Sequence, residues 1–554
     1  MKKTILFLAL FLSCNFTNAQ EKIIANPLNL NYRFQQDSPE GKLTEGSFRE
    51  AADPEIHLFK GKYYLFASHS SGYWRSDDLA EWTFIPCKSI AEVNNYAPAI
   101  LVRGDTMYFA ASDTKIYRTE NPDKDNWVQI ETKVEIPHDP AFFQDDDGRV
   151  YLYWGCSDKD PIIGVEVDPN NGFKAIGEPK ALVGHNSEKY GWEASGENNE
   201  RNRDGWNEGA AMIKHNGKYY LQYAAPGTEF RVYGDGVYVA DSPLGDFVYE
   251  ESNPFSIKPG GFVGGAGHGY TFYDKYGNLW HVATMKISVR HMFERRIGLF
   301  PAYFSNDNTL HAHTVWTDYP FQVPQKKVDF AKNDFSMKWN LISFNKKVKS
   351  SSFLKNYEPE KANDEQIETW WTAKSGKAGE YWQVDLGKQQ DIKAIQVNFA
   401  DHDFPFLNSF AYQYKILCSD DGKKWKTLID RSNNKKDMPH ELIVLEKEVR
   451  TRFLRIENTK DISIGKFSLY DFRVFSTGNW LYEVPIENFS AVRDNNDKRV
   501  YRFKWKKQPD AQGYVLRWGL KPDELHNAIM IFGNEFEGRF FNRNSEYFFE
   551  LTYF

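Results

Sequence analysis

Four ionisable residues stand just upstream of recurring glycine hairpins. They are Asp53 in Ala52-Asp53-Pro54-Glu55-Ile56, Asp139 in His138-Asp139-Pro140-Ala141-Phe142, Glu208 in Trp206-Asn207-Glu208-Gly209-Ala210, and His268 in Gly265-Ala266-Gly267-His268-Gly269. The matching place in one further copy, Tyr96-Ala97-Pro98-Ala99-Ile100, carries no ionisable group. Two aspartates and a glutamate brought together suit glycoside hydrolysis: one carboxylate activates water while a protonated acid assists the leaving oxygen. That acid must hold its proton near neutral pH, and a neighbouring carboxylate promotes this by like-charge repulsion. A lone Asp-Pro is ordinarily a turn or strand-entry residue. The argument for chemistry rests on acids at nearly the same point of three copies.

The elements that must position these groups are β-strands. Helical periodicity is nearly absent, and runs of β-branched and aromatic residues recur between Gly, Asn and Asp turns. One unit appears five times: Gly61-Lys62-Tyr63-Tyr64-Leu65-Phe66, Gly104-Asp105-Thr106-Met107-Tyr108-Phe109, Gly148-Arg149-Val150-Tyr151-Leu152-Tyr153-Trp154, Gly217-Lys218-Tyr219-Tyr220-Leu221-Gln222-Tyr223 and Gly277-Asn278-Leu279-Trp280-His281-Val282. Repeats of this size with one tight hairpin each are what propeller blades look like. The reading is an all-β chain: a five-bladed β-propeller over 20–325, then a jelly-roll β-sandwich and a small Ig-like sandwich. In a propeller the innermost strands line one channel, so Asp53, Asp139, Glu208 and His268 are expected to meet.

After Pro324 the pattern changes. Residues 326–342 read as a Lys/Asp-rich linker, 343–476 as a second β-rich unit and 484–554 as a third. The long polar insertion from His185 to Asp204 enters the strand that bears Glu208. Loops of this kind tend to wall a pocket, so Trp192 and Glu193 are candidates for substrate contact, as is Trp74.

The chain has 554 residues, a net charge of −7 and 16% aromatic residues. Without a clustered basic surface there is no electrostatic case for nucleic acid. The apolar run Ile5 to Leu12 is too short to span a bilayer. With Lys2 and Lys3 before it and Thr17-Asn18-Ala19 after it, it has the order of a signal peptide, with cleavage after Ala19 and a secreted or periplasmic product. Cys14 as a lipid-anchored cysteine is the less favoured alternative. Cys87, Cys156 and Cys418 are too few and scattered for a disulfide scaffold and read as small buried residues.

The propeller segment resembles glycoside hydrolase family 43. The resemblance is carried by Ala52-Asp53-Pro54-Glu55-Ile56 before its hairpin, Asp139-Pro140-Ala141-Phe142-Phe143 with Asp145-Asp146-Asp147-Gly148, Asn207-Glu208-Gly209-Ala210 before Gly217-Lys218-Tyr219-Tyr220, and the Gly-Ala-Gly-His-Gly run at 265–269. It implies Asp53 as general base, Asp139 as pKa modulator and Glu208 as general acid. It also implies inversion through direct attack by water, with the Asp53 and Glu208 carboxyls about 6.5–9.5 Å apart. Arg296 matches an arginine near the sugar, and His268 a histidine that in some relatives holds calcium. No cofactor is required on this reading, a structural calcium at His268 being the one metal considered. Calcium prefers oxygen ligands, so a structural histidine is an equal alternative.

Residues 343–476 resemble a discoidin domain, through Trp370-Trp371-Thr372-Ala373, Tyr381-Trp382-Gln383-Val384-Asp385-Leu386-Gly387 and Ser419-Asp420-Asp421-Gly422-Lys423-Lys424-Trp425. This implies either a carbohydrate-binding module or a structural buttress. Residues 484–554 resemble a fibronectin type III module, read as a spacer. The partner implied throughout is a polysaccharide or oligosaccharide, with the oligomeric state open. Two further signals are discounted: Asp145-Asp146-Asp147-Gly148 lacks the Glu of a calcium loop and reads as a hairpin turn, and His311 with His313 lacks a third ligand.

Overall fold

The five hairpin glycines explain the repeat. Gly61, Gly104, Gly148, Gly217 and Gly277 all take φ between +58° and +85°, a region a Cβ disfavours, and each lies in the turn joining the first two strands of an antiparallel sheet, four-stranded in every blade but the fourth, where Ser256–Ile257 adds a fifth strand. In the computed structural model, which describes residues 21–36, 46–332, 335–478 and 483–554, these sheets are the blades of a five-bladed β-propeller. Their first strands are Ala52–Phe59, Ala99–Arg103, Ala141–Gln144, Glu208–His215 and Gly264–Tyr273. Within each blade the strands follow in chain order from this one outward. First strands of adjacent blades touch one another around the ring, including the fifth against the first, so they enclose the axis. Ile23–Ile24 pairs with Phe321–Gln322, tying the two ends of the propeller together.

The expected signal peptide at 1–19 and Cys14 lie outside the described residues. The segment expected as a linker is packed. Val328, Phe330 and Phe335 join the apolar cluster of the first and fifth blades, and Asn340–Leu341 already pairs with Phe475–Ser476 of the second unit. That unit is an eight-stranded β-sandwich in which two long strands, Tyr381–Phe399 and His440–Asn458, bend at bulges. The third unit has a four-stranded and a three-stranded sheet. Tyr501, Phe503 and Trp505 from one face Tyr514, Leu516 and Trp518 from the other in a common core.

All three units share buried contacts. Val315, Trp316 and Tyr319 of the propeller, Trp339 and Phe475 of the second unit, and Val515, Met530 and Phe554 of the third form one apolar cluster. Buried ions join the propeller to the second unit: Arg49 pairs with Asp401 at 2.7 Å and with Asp437 at 2.9 Å. Arg296 donates to His440 at 2.8 Å. The third unit is therefore not a spacer. Its Phe541 carbonyl accepts from Gly191, and Asn542 bridges Tyr190, both within the 185–204 insertion.

Candidate active site

Each first strand enters the axis through a residue with a left-handed backbone. Asp53, Ala97, Asp139, Gly209 and His268 have φ of 52°, 49°, 51°, 65° and 46°. Each lies two residues before a regularly paired position, Glu55, Ala99, Ala141, Ala211 and Tyr270 respectively. The conformation costs a non-glycine residue roughly 1–3 kcal/mol. Ala97 adopts it with no chemistry to perform, so the geometry belongs to the blade and not to the acids. The register also refines the sequence alignment. Asp53, Asp139 and His268 are equivalent, whereas the fourth blade gives the left-handed place to Gly209 and sets Glu208 one residue earlier. Only glycine fits there, because a Cβ on Gly209 would come within 2.8 Å of the His268 ring.

The ends of the second strands hold these entries in place. Asp139 N–H donates to Ser112 Oγ at 2.9 Å, Asp53 N–H to Thr284 Oγ1 at 2.8 Å, and Ala97 N–H to Ser68 Oγ at 2.8 Å. Ser68 in turn donates to Asp53 Oδ2 at 2.6 Å.

The structure brings the four predicted residues together. His268 Nδ1 lies 3.4 Å from Asp53 and 3.9 Å from Asp139. Burial alone would raise the Asp53 pKa, but Arg295, His268 and the Ser68 hydroxyl outweigh it and hold the carboxyl below its ordinary value. Arg295 Nη1 is 3.1 Å from Asp53, and its other side grips Glu50 at 2.5 Å. Glu208 behaves in the opposite way. Burial, reinforced by the Asp139 charge, pushes its pKa up to about 7 against His268 and the Tyr233 hydroxyl, which donates at 2.6 Å. Burial also raises Asp139, with Asp53 adding to the effect and His268 opposing it. His268 loses basicity to burial and regains more from Asp53, Asp139 and Glu208, ending above its usual value. Toward a hard ion that takes six to eight oxygens it offers a single nitrogen.

Four residues expected to touch substrate are placed elsewhere. Trp192 and Glu193 are fully buried. Trp192 donates to Tyr249 at 3.0 Å, and Glu193 accepts from the Tyr223 hydroxyl and the Asn186 N–H. Their loop turns inward because the third unit covers it. Trp74 is buried in the first blade, donating to Asn31 at 2.7 Å. Arg296 is 1% exposed and points to the second unit, while Arg295 faces the acids. Successive strand residues point to opposite faces, so one step of register exchanges an interface residue for a site residue. Asp145 forms the expected turn and anchors Lys214 and Tyr219 at 2.5 and 2.6 Å, and His311 stacks on His526.

Several site residues escaped the sequence reading. Cys156 is no core filler: its thiol donates to Glu208 Oε2 at 3.3 Å, and burial with the adjacent Glu208 and Asp139 charges raises its pKa strongly. Half-buried aromatics flank the acids, His69 against Tyr96 at 4.3 Å and Tyr96 against Phe293 at 5.5 Å. Trp206, two residues before Glu208, is 42% exposed. The alternation of strand faces could have singled out Arg295. Nothing local marks Cys156.

Residues 48–310 match the family of glycosyl hydrolases 43, and residues 347–471 match the F5/8 type C domain. The propeller is a family 43 glycosyl hydrolase domain. The chain is similar to the beta-D-galactofuranosidase xynD of Aspergillus niger, 25% identical over 259 residues, covering 40% of this chain and 68% of that protein. It is also similar to xylosidase/arabinosidase 43A of Humicola insolens, 26% identical over 264 residues, covering 36% of this chain and 78% of that one. A solved glycoside hydrolase covers 77% of this chain and 97% of its own, with 19% identity and a TM-score of 0.45. The family 43 domain thus places this chain among the glycoside hydrolases, with carbohydrate as substrate, and its C-terminal partner is a discoidin-type sandwich.

Proposed function

We propose that this family 43 enzyme is a secreted, exo-acting glycosidase that releases terminal furanose or pentose units by inversion. α-L-Arabinofuranosides are the first choice of substrate, with β-D-galactofuranosides and β-xylosides next. The range agrees with the named activities of the two similar enzymes, a galactofuranosidase and a xylosidase/arabinosidase. The observation that carries the mechanism is the division among the acids: Asp53 is held ionised by Arg295, His268 and Ser68, while Glu208 keeps its proton up to a pH of about 7.

In this mechanism Asp53 removes a proton from water as the water attacks the anomeric carbon. Glu208 gives its proton to the departing glycosidic oxygen. Burial, reinforced by the Asp139 charge, keeps Glu208 protonated and His268 balances the three acids, so one buried site holds a base and an acid at the same pH. The discoidin-type sandwich is assigned first to buttressing, because Arg49 and Arg296 commit buried contacts to it.

The test is hydrolysis of nitrophenyl α-L-arabinofuranoside, β-D-galactofuranoside and β-xyloside by wild type and Glu208→Gln, with NMR of the first-formed anomer. Hydrolysis of none of them by wild type would favour a glycan-binding propeller, and retention of configuration would refute water attack.

A further inference from the structure

Two of the acids also belong to a second constellation, whose other members, His138 and Cys156, the hydrolytic mechanism does not use. His138, Asp139 and Cys156 place one ligand atom each within 4.8 Å of one another, the only such set of three or more among the described residues. Glu208 Oε2 is 3.3 Å from the Cys156 sulfur and can serve as a fourth donor. The His138 ring is exposed, and its Nδ1 contacts the Asp113 carboxylate at 3.0 Å. Carboxylates of this kind commonly orient a metal-bound histidine from outside the coordination shell. Sulfur, imidazole nitrogen and carboxylate oxygen together are the ligand set of zinc, which binds them at about 2.0–2.3 Å in tetrahedral geometry. Calcium and magnesium, being hard ions, are selected against by the thiolate.

The chain has a structural reason for a sulfur here. At the ends of their second strands the first and second blades carry Ser68 and Ser112, hydroxyls turned to Asp53 and Asp139. The third blade, where the site needs a donor to Glu208, offers the Cys156 thiol instead. A hydroxyl at this point would serve hydrogen bonding alone, whereas a thiol adds affinity for soft cations.

We propose that His138, Asp139 and Cys156, joined by Glu208, form an inhibitory site for zinc and similar thiophilic divalent cations at the mouth of the active site. Binding exchanges the S–H bond for a Zn–S bond and releases the thiol proton to solvent, together with the Glu208 proton when that residue joins the shell. The ion then occupies both Asp139 and the general acid, and hydrolysis stops until a chelator removes it. The site rests on donor geometry and does not depend on which glycoside is the substrate.

Zinc chloride titrated into the hydrolysis assay of the full chain should inhibit at micromolar concentration and EDTA should restore the rate, while calcium and magnesium leave it unchanged. Cys156→Ser and His138→Ala, each compared with its own uninhibited rate, should need at least ten-fold more zinc. A binding readout independent of turnover is isothermal titration calorimetry of zinc chloride into the full chain, in which Cys156→Ser and His138→Ala should each weaken binding at least ten-fold. Inhibition of Cys156→Ser at the wild-type concentration would overturn the proposal in favour of carboxylates alone, and so would an unchanged zinc affinity in that variant.

Discussion

Two buried glutamates, Glu208 and Glu193, invite comparison. Both accept a hydrogen bond from a tyrosine, Tyr233 and Tyr223 respectively, and both are held protonated near neutral pH, with pKa values of about 7 and about 8. For each, burial is the largest cause. They differ in surroundings. Glu208 sits within reach of Asp139, His268, Cys156 and, through His268, Asp53. Glu193 lies in a loop sealed by aromatic rings and by the third unit, and among the described residues its hydrogen-bond partners are the Tyr223 hydroxyl and the Asn186 N–H, with Asp204 and Lys189 acting on it only through space. A raised pKa thus marks desolvation in both, and only access together with an oppositely tuned partner turns it into acid catalysis.

The largest expected effect separates the two directly. Glu208→Gln should lower kcat by about 10²–10⁴-fold while thermal unfolding stays near the wild-type temperature. The loss should be greater on an arabino-oligosaccharide than on a nitrophenyl glycoside, whose leaving group needs less protonation. Glu193→Gln, which preserves the neutral hydrogen-bonded form, should leave kcat within about two-fold, since it removes no group that meets substrate. Equal losses in steady-state assays of the two variants would break the comparison.

The adjacent arginines give the next contrast. Arg295→Met removes a cation that holds Asp53 below its ordinary pKa, so the acidic limb of the pH–rate profile should move to higher pH. Activity below neutral should fall on the order of ten-fold, the equivalent of one pKa unit. Arg296→Met should instead lower the unfolding temperature, by severing the propeller–sandwich contact with His440, and leave the limb in place.

The basic limb tests what keeps the Glu208 proton. The Asp139 charge raises the Glu208 pKa, so Asp139→Asn should shift that limb to lower pH. The Tyr233 hydroxyl favours the ionised form, so Tyr233→Phe should shift it to higher pH. Movement of both in one direction would contradict the assignment.

The smallest effect concerns stability. Glu193 is raised from an ordinary 4.5 to about 8, so between those values the folded chain holds a proton that the unfolded chain releases. Stability then declines as pH rises through that interval. Thermal unfolding of Glu193→Gln and wild type should show the glutamine variant gaining relative stability from pH 5 to pH 8. A constant difference would mean that Glu193 is already ionised in the fold.

Much of the propeller was legible because its repeat is local. A glycine at positive φ must turn a hairpin, and alternating Tyr and Leu must form the strand that follows, wherever the blade sits. The acidic trio was legible for a related reason, each acid lying eight or nine residues before its hairpin glycine. Trp74, Trp192, Glu193 and Arg296 were misplaced because their roles depend on what covers them. The 185–204 insertion looks like a polar pocket wall until Phe541 and Asn542 close over it.

The amino-acid order alone therefore settles the blades and their number and marks the three acids that enter the axis, since hairpin geometry and strand entry are properties of a few consecutive residues. Only the assembled ring decides that Asp53 is pushed below and Glu208 above its ordinary pKa, that Arg295 and not Arg296 faces the site, and that Cys156 stands beside two acids. Those outcomes arise from charges and desolvation supplied by residues hundreds of positions apart, and electrostatics in a buried site depends on distance in space rather than along the chain.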